Sequence, residues 1–411
     1  MATAVSARAA GGAGGATPRL SRRARRAVVA GCGVMIAGVL PAFLTASLAS
    51  RIPDDFALGD SGVGLAIAVF HVICAVTSTP AGRLVERIGP VAGMRIAAAL
   101  TALSCLAIAA LAQSALSLTA LLLVGGLANA FGGPSVSALL KREVATQRQG
   151  LAFGAQQSGG TLGSLLAGLA LPVIAIPFGW RWAFLAVAAL ALCAALLAPA
   201  SGPAPARRAA VARPRGLTSV HALAVAAALA SAAGVGFISF LILYAERSGM
   251  SQSAAGLLLV AVSLAATVSR VSVGVVADRR GGEPLRPVAA MLAASIGGYL
   301  LLMTGEPWVI VVAALVAGAF GWAWPGGLTL AVVQRSPGAP AWAVGVLMAG
   351  LFTGAILGPL VVGLLAEAER FAVAWAVCAV CALAAAVVMV TVTRANPGHR
   401  GGGEAGARSP A

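Results

Sequence analysis

Apolar stretches long enough to cross a bilayer follow one another along this chain, with only short charged segments between them. Of its 411 residues, 60% are hydrophobic and 10% are charged, where ordinary soluble domains carry about a quarter charged. A chain so poor in charge cannot cover itself with polar surface, so its solvent is lipid. Twelve spans are predicted, at 27–50, 61–82, 96–112, 118–140, 151–178, 183–198, 220–243, 254–277, 288–303, 308–333, 343–366 and 371–392. Each is near the ~20 residues that a helix needs to span the hydrocarbon core. The expected class is an all-α membrane protein of twelve transmembrane helices.

The formal net charge of +16 is not gathered on a soluble face, so nucleic acid is not an expected partner. The basic residues lie in the segments between spans, and they alternate in density. Arg83, Arg87, Arg95, Lys141, Arg142, Arg148, Arg279, Arg280, Arg286 and Arg335 share one side with the arginines of both chain ends. Arg51, Arg181, Arg247 and Arg370 share the other with Asp54, Asp55, Asp60, Glu246, Glu306, Glu367 and Glu369. The positive-inside rule then predicts a multi-pass protein of the cytoplasmic (inner) membrane with both termini cytoplasmic. Residues 1–26 read as a disordered basic tail, 27–198 as one six-helix bundle and 199–218 as a cytoplasmic linker. Residues 219–392 read as a second bundle and 393–411 as a disordered tail.

Internal repetition supports two related halves. Gly82-Arg83-Leu84-Val85-Glu86-Arg87-Ile88-Gly89 lies after the second span, and Gly274-Val275-Val276-Ala277-Asp278-Arg279-Arg280-Gly281 follows the eighth, 192 residues later. In both, Gly leads an acid by four residues and an Arg by five. Ala155, Gly159, Gly163 and Ala167 in span 5 align with Gly350, Gly354, Gly358 and Val362 in span 11, a four-residue spacing that favours tight helix crossing. Phe131-Gly132-Gly133-Pro134 in span 4 aligns with Trp324-Pro325-Gly326-Gly327 in span 10. Such paired interruptions point to a binding site between the halves, with a tolerated kink as the plainer reading.

Twelve spans, a central basic linker and the duplicated segment together resemble the major facilitator superfamily. The first copy is similar to its G-x-x-x-D-R-x-G signature with Glu86 in place of Asp, and the second has Asp278 and Arg279 in the expected places. The resemblance covers 27–392. It implies two pseudo-symmetric six-helix bundles that rock about a midplane site. It also implies a cytoplasmic gate built from Gly82, Glu86, Arg87, Gly274, Asp278 and Arg279, with each acid near a helix N-terminus. The superfamily's antiporter motif G-P-x-x-G-G is incomplete in span 5, where Gly163-Ser164 lacks the proline. Gly125 stands where many relatives place an embedded arginine in span 4.

Polar side chains inside the spans are few, and each is a candidate. Arg270 lies eight residues before Asp278, ~12 Å along a helix. An arginine four residues before glycine resembles the carboxylate-binding arginine of monocarboxylate transporters and oxalate–formate exchangers, although Ala266 replaces the aspartate of the former. The competing reading for Arg270 is snorkelling towards the surface. Asn129, Gln156, Gln157, Trp322 and Trp324 are further substrate-binding candidates, with interhelical hydrogen bonding and packing as their alternatives. His71 is the proton-coupling candidate, against a hydrogen-bonded packing role. Cys378 and Cys381 form a C-x-x-C without histidine or acidic neighbours, so packing is expected there, with no metal and no cofactor.

No nucleotide-binding loop, zinc-hydrolase or nucleophile-elbow motif occurs, so an enzyme is not expected and energy must come from a gradient. The expected function is a monomeric secondary transporter of a small organic solute, an organic monoanion such as a monocarboxylate where Arg270 binds it, with a proton as co-substrate. The alternatives are proton-coupled efflux of hydrophobic drugs and, from another class, a non-transporting membrane receptor.

Overall fold

A computed structural model describes residues 20–48, 52, 60–200, 217–280 and 283–395. Most of the expected tails and of the 199–218 linker, together with Arg51, Asp54 and Asp55, lies outside them. Among the described residues twelve helices are long and apolar enough to span a bilayer. They are α1 (Arg22–Ser47), α2 (Gly62–Ile88), α3 (Pro90–Leu111), α4 (Ala115–Glu143), α5 (Thr146–Phe178) and α6 (Trp180–Leu197), then α7 (Thr218–Arg247), α8 (Gln252–Arg279), α9 (Leu285–Leu302), α10 (Pro307–Arg335), α11 (Pro340–Glu367) and α12 (Phe371–Ala395). Alanine- and leucine-rich sequence favours helix throughout.

Local signals fix several ends. The Ser21 hydroxyl accepts from the Ala24 N–H at 3.1 Å to cap α1, and Ser114 and Ser117 form a reciprocal capping box on α4. Proline opens α3, α10 and α11, where its missing N–H costs nothing. Gly89 alone joins α2 to α3 at φ +90°, a conformation that favours glycine.

Packing repeats across the halves. α1 lies on α5 and α6, α2 on α4, and α3 on α4 and α6. In the same way α7 lies on α11 and α12, α8 on α10, and α9 on α10 and α12. These are two six-helix bundles, and they meet where α2 runs along α11 and α5 along α8. Leu116, Leu196, Leu257 and Trp308 are exposed on the outer surface, which is stable only against lipid.

Three local expectations are corrected. The duplicated segments, expected after the second and eighth spans, belong to the helices themselves: Gly82–Ile88 forms the last turns of α2, and Gly274–Arg279 those of α8. Their charged residues extend the helices past the apolar stretch. Span 5 is not one regular helix. It is interrupted at Ser158 and widens into a π turn at Leu171–Ala175, where Pro172 cannot donate. The aligned Gly/Pro interruptions also differ. α4 passes through Pro134 unbroken, whereas α10 stops at Gly321 and restarts at Trp324. Of the tryptophans at span ends, Trp182 and Trp308 are exposed as interfacial residues would be, while Trp180 and Trp342 are buried.

Candidate functional site

The ends of the described chain, α1's start and α12's finish, lie on one face of the bundle, called here the terminal face. On that face the duplicated acids reach across to the opposite half. A Glu86 carboxylate oxygen accepts from the backbone N–H of Ala341 at 2.6 Å and of Trp342 at 3.3 Å, in the first turn of α11. Asp278 accepts from the N–H of Gly150 at 2.6 Å and of Leu151 at 2.8 Å, in the first turns of α5. These N–H groups have no partner within their own helix, and the positive end of the helix dipole favours an anion there.

The glycines explain how the acids get so close. A Cβ on Gly82 would stand 2.5 Å from the Ala341 carbonyl oxygen, and one on Gly274 would strike the Gly150 carbonyl oxygen. Each latch therefore pairs a backbone-to-backbone helix crossing with a carboxylate one turn further on. Lys141 adds a third tie, donating from Nζ to the Val333 carbonyl oxygen at 2.7 Å, at the C-terminal end of α10. We expect Lys141→Met to loosen closure of this face by roughly 10- to 150-fold, since a hydrogen bond from a charged group is worth about 1.5–3 kcal/mol. Cysteine cross-linking between α4 and α10 checks that value.

Deeper in the bundle, Arg270 is 4% exposed, so it does not snorkel. Its Nε donates to the Trp322 carbonyl oxygen at 2.8 Å, and its Nη1 to the Gln157 carbonyl oxygen at 2.7 Å and the Thr161 hydroxyl at 3.3 Å. The guanidinium carbon also stands 5.3 Å from the centre of the Trp322 ring. Both carbonyls belong to helix breaks. Gln157 ends the first segment of α5, and Trp322 lies where α10 stops before Pro325. Interrupted helices thus supply the acceptors that a continuous helix would have used internally. Among the described residues no carboxylate pairs with Arg270, so its positive charge is held by neutral groups alone. Gln157 continues the bridge between halves, its Nε2 donating to the Thr329 hydroxyl at 2.8 Å.

The other candidates lie apart from this cluster. Asn129 is buried between α1, α2 and α4, with Nδ2 at 3.6 Å from the Cys74 sulfur. Gln156 is fully buried and pairs with the Ser137 hydroxyl of α4 at 2.9 Å. Trp324 is 1% exposed, and its indole Nε1 is buried without a partner among the described residues. Its neighbour Trp322 is the tryptophan that meets Arg270. His71 donates from Nδ1 to the Ile67 carbonyl oxygen at 2.9 Å, and its ring stands 6.0 Å from Phe352 of α11. A carbonyl can only accept, so the proton is on Nδ1 and Nε2 is the basic nitrogen. Sequence reasoning missed Thr161, Thr329 and Lys141. Thr161 lies one turn beyond Gln157, the signal that could have placed it beside the arginine.

The chain matches the family described as Major Facilitator Superfamily over residues 43–338 and 223–411. A multidrug resistance protein, MdtG of Serratia proteamaculans, is 32% identical over 133 residues, covering 31% of this chain and 32% of that protein. The match thus spans about a third of that relative's length. Among solved structures, the Escherichia coli fucose:proton symporter FucP superposes with a TM-score of 0.73 at 16% identity, covering 90% of this chain and 99% of that one. The human organic anion transporter MFSD10 gives 0.72 at 17% identity, covering 90% and 100%. At such identities the structural likeness establishes the fold.

Proposed function

Because the chain belongs to the major facilitator superfamily and is a multi-pass membrane transporter, we propose that it carries a small organic monoanion by alternating access, with Arg270 as the anion contact. The observation that carries this reading is a buried arginine at the junction of the two bundles whose only described partners are neutral. A charge in that position is costly unless compensated, and a substrate carboxylate would supply the missing compensation. Thr161 and Trp322 flank the guanidinium, and His71, on the other inter-bundle seam, takes up the coupled proton at Nε2. Among the described residues Arg270 is the one buried cation, which suits the site to a single negative charge.

The latches on the terminal face close the entrance on that side. The distribution of basic residues supports a cytoplasmic terminal face in an inner membrane, with 1–26, 199–218 and 393–411 as cytoplasmic tails and linker joining bundles 27–198 and 219–392. The protein works as a monomer. A second reading, proton-coupled export of hydrophobic compounds, is supported by the similarity to the multidrug resistance protein.

Flux into proteoliposomes separates the two. With a panel of monocarboxylates and an imposed pH gradient, Arg270→Ala should lower anion flux at least 100-fold and Arg270→Lys at least tenfold. Lysine keeps the charge but cannot match a carboxylate with two parallel donors. Unchanged anion flux in both variants would sink the reading. Flux of neutral hydrophobic compounds, insensitive to Arg270, would favour export, and specific binding without any flux would favour a receptor.

A further inference from the structure

Between α9 and α12, on the outside of the second bundle, a groove of about 460 Å³ opens at the terminal face. Arg286 of α9 and Arg394 of α12 stand at its mouth, and Ala289, Ala293, Ala386 and Val390 line it further in. The positions on each helix recur at intervals of three and four, so two facing stripes form the walls. Small side chains make the depression: Ala289 and Ala386, 4% and 6% exposed, are its floor. Both arginines are exposed, and among the described residues neither has an ion pair. Among the described residues no acid lines the groove.

The geometry points to a binding site for one anionic glycerophospholipid, its phosphate between Arg286 and Arg394 and one acyl chain along the alanine floor. Charge complementarity selects the headgroup, since two guanidiniums without a carboxylate neighbour suit a phosphodiester. Depth selects the rest. From Arg286 to Ala293 and from Arg394 to Ala386 is roughly 10–12 Å along the helix axes, most of the ~15 Å of one leaflet's hydrocarbon. A soluble anion would leave this apolar channel unfilled. The site is independent of the substrate reading, because it lies on the outer surface and shares no residue with the Arg270 cluster.

The full chain, delipidated in dodecyl maltoside, is to be titrated with dioleoyl phosphatidylglycerol or dioleoyl phosphatidylcholine and followed by native mass spectrometry. The expected result is one phosphatidylglycerol retained at least tenfold more tightly than phosphatidylcholine. R286Q/R394Q should abolish that preference, and A293W, which fills the groove and keeps both charges, should remove the bound lipid. R22Q/R25Q, which deletes the same charge elsewhere on the terminal face, should retain it. Equal retention of the two lipids would overturn the proposal, as would an equal loss in R22Q/R25Q. Competition by glycerol 1-phosphate as effective as by the lipid would show that the groove plays no part. A dimer dispersed by A293W would assign the groove to a second copy of the chain instead.

Discussion

Gly274→Leu should yield a protein that folds and inserts but no longer closes its terminal face, with net transport reduced at least 100-fold. A Cβ at 274 would strike the Gly150 carbonyl oxygen and stand 2.8 Å from the Gly150 carbonyl carbon and 3.1 Å from the Leu151 nitrogen. All three are backbone atoms of a helix and cannot rotate away, so α5 and α8 must separate. Separation also breaks both bonds from Asp278, to Gly150 and Leu151. Hydrogen bonds to a charged group are worth about 1.5–3 kcal/mol each, and overpacking adds about 1–3 kcal/mol. Together these come to about 4–9 kcal/mol, a range that brackets the ~5.5 kcal/mol that turns a 99:1 equilibrium into 1:99. When the halves part, the leucine has room, so the open conformation pays no such penalty. Spin labels at Arg95 and Arg279 in a cysteine-free background would report the separation as a longer distance. An unchanged distance would mean that this crossing does not hold the face closed.

Gly354→Val is expected to act on stability instead. Gly350, Gly354 and Gly358 lay the backbone of α11 directly on the carbonyls of Ala224, Ala228 and Ala232 in α7. A Cβ at 354 would strike the Ala228 carbonyl oxygen and stand 2.9 Å from the Ala232 nitrogen. Lipid tails are as apolar as leucine, so close packing is what holds such helices together. Forcing them apart should cost about 3 kcal/mol, the upper end for overpacking. The equivalent seam between α5 and α1 is built differently. Gly163 meets a methyl of Val39, a side chain that has other rotamers, whereas Gly159 meets the Cβ of Met35, which is fixed to the main chain. Gly163→Ala should therefore cost less than Gly354→Ala. Gly160→Ala, with open space around it, should be neutral or stabilising, since alanine is the better helix former by about 1 kcal/mol. Thermal unfolding in detergent orders these variants, and a Gly354 variant as stable as Gly160→Ala would contradict the packing argument.

The two seams show what the sequence can and cannot announce. Glycines four residues apart, repeated in both halves, are legible because close crossing demands them, and the twelve spans are legible because lipid demands apolar length. The acids of the duplicated segment were legible as helix-terminus partners through the resemblance to the superfamily's signature, which their charge fits. Which atoms hold Arg270 was not readable, because its acceptors are main-chain carbonyls released at helix breaks. Pro325 signals the break in α10, but only the weaker Gly159-Gly160 pair stands beside the one at Ser158. Asn129 and Gln156 were recognisable as unusual residues, yet whether they face a cavity or a neighbouring helix depends on helix rotation, which polar identity does not set. The aligned Gly/Pro pairs in α4 and α10 carry the same local message and were resolved oppositely by their surroundings.

The grip on Arg270 has a consequence for how this protein can be dissected. Truncating neighbouring residues one at a time removes the Thr161 hydroxyl and the Trp322 ring but leaves the carbonyls of Gln157 and Trp322 untouched. An alanine survey will therefore find an arginine with few genetic accomplices, however firmly it is moored. Exposing the mooring takes chemistry below the level of the codon: an ester in place of the Gln157–Ser158 amide weakens the acceptor while leaving every side chain in place.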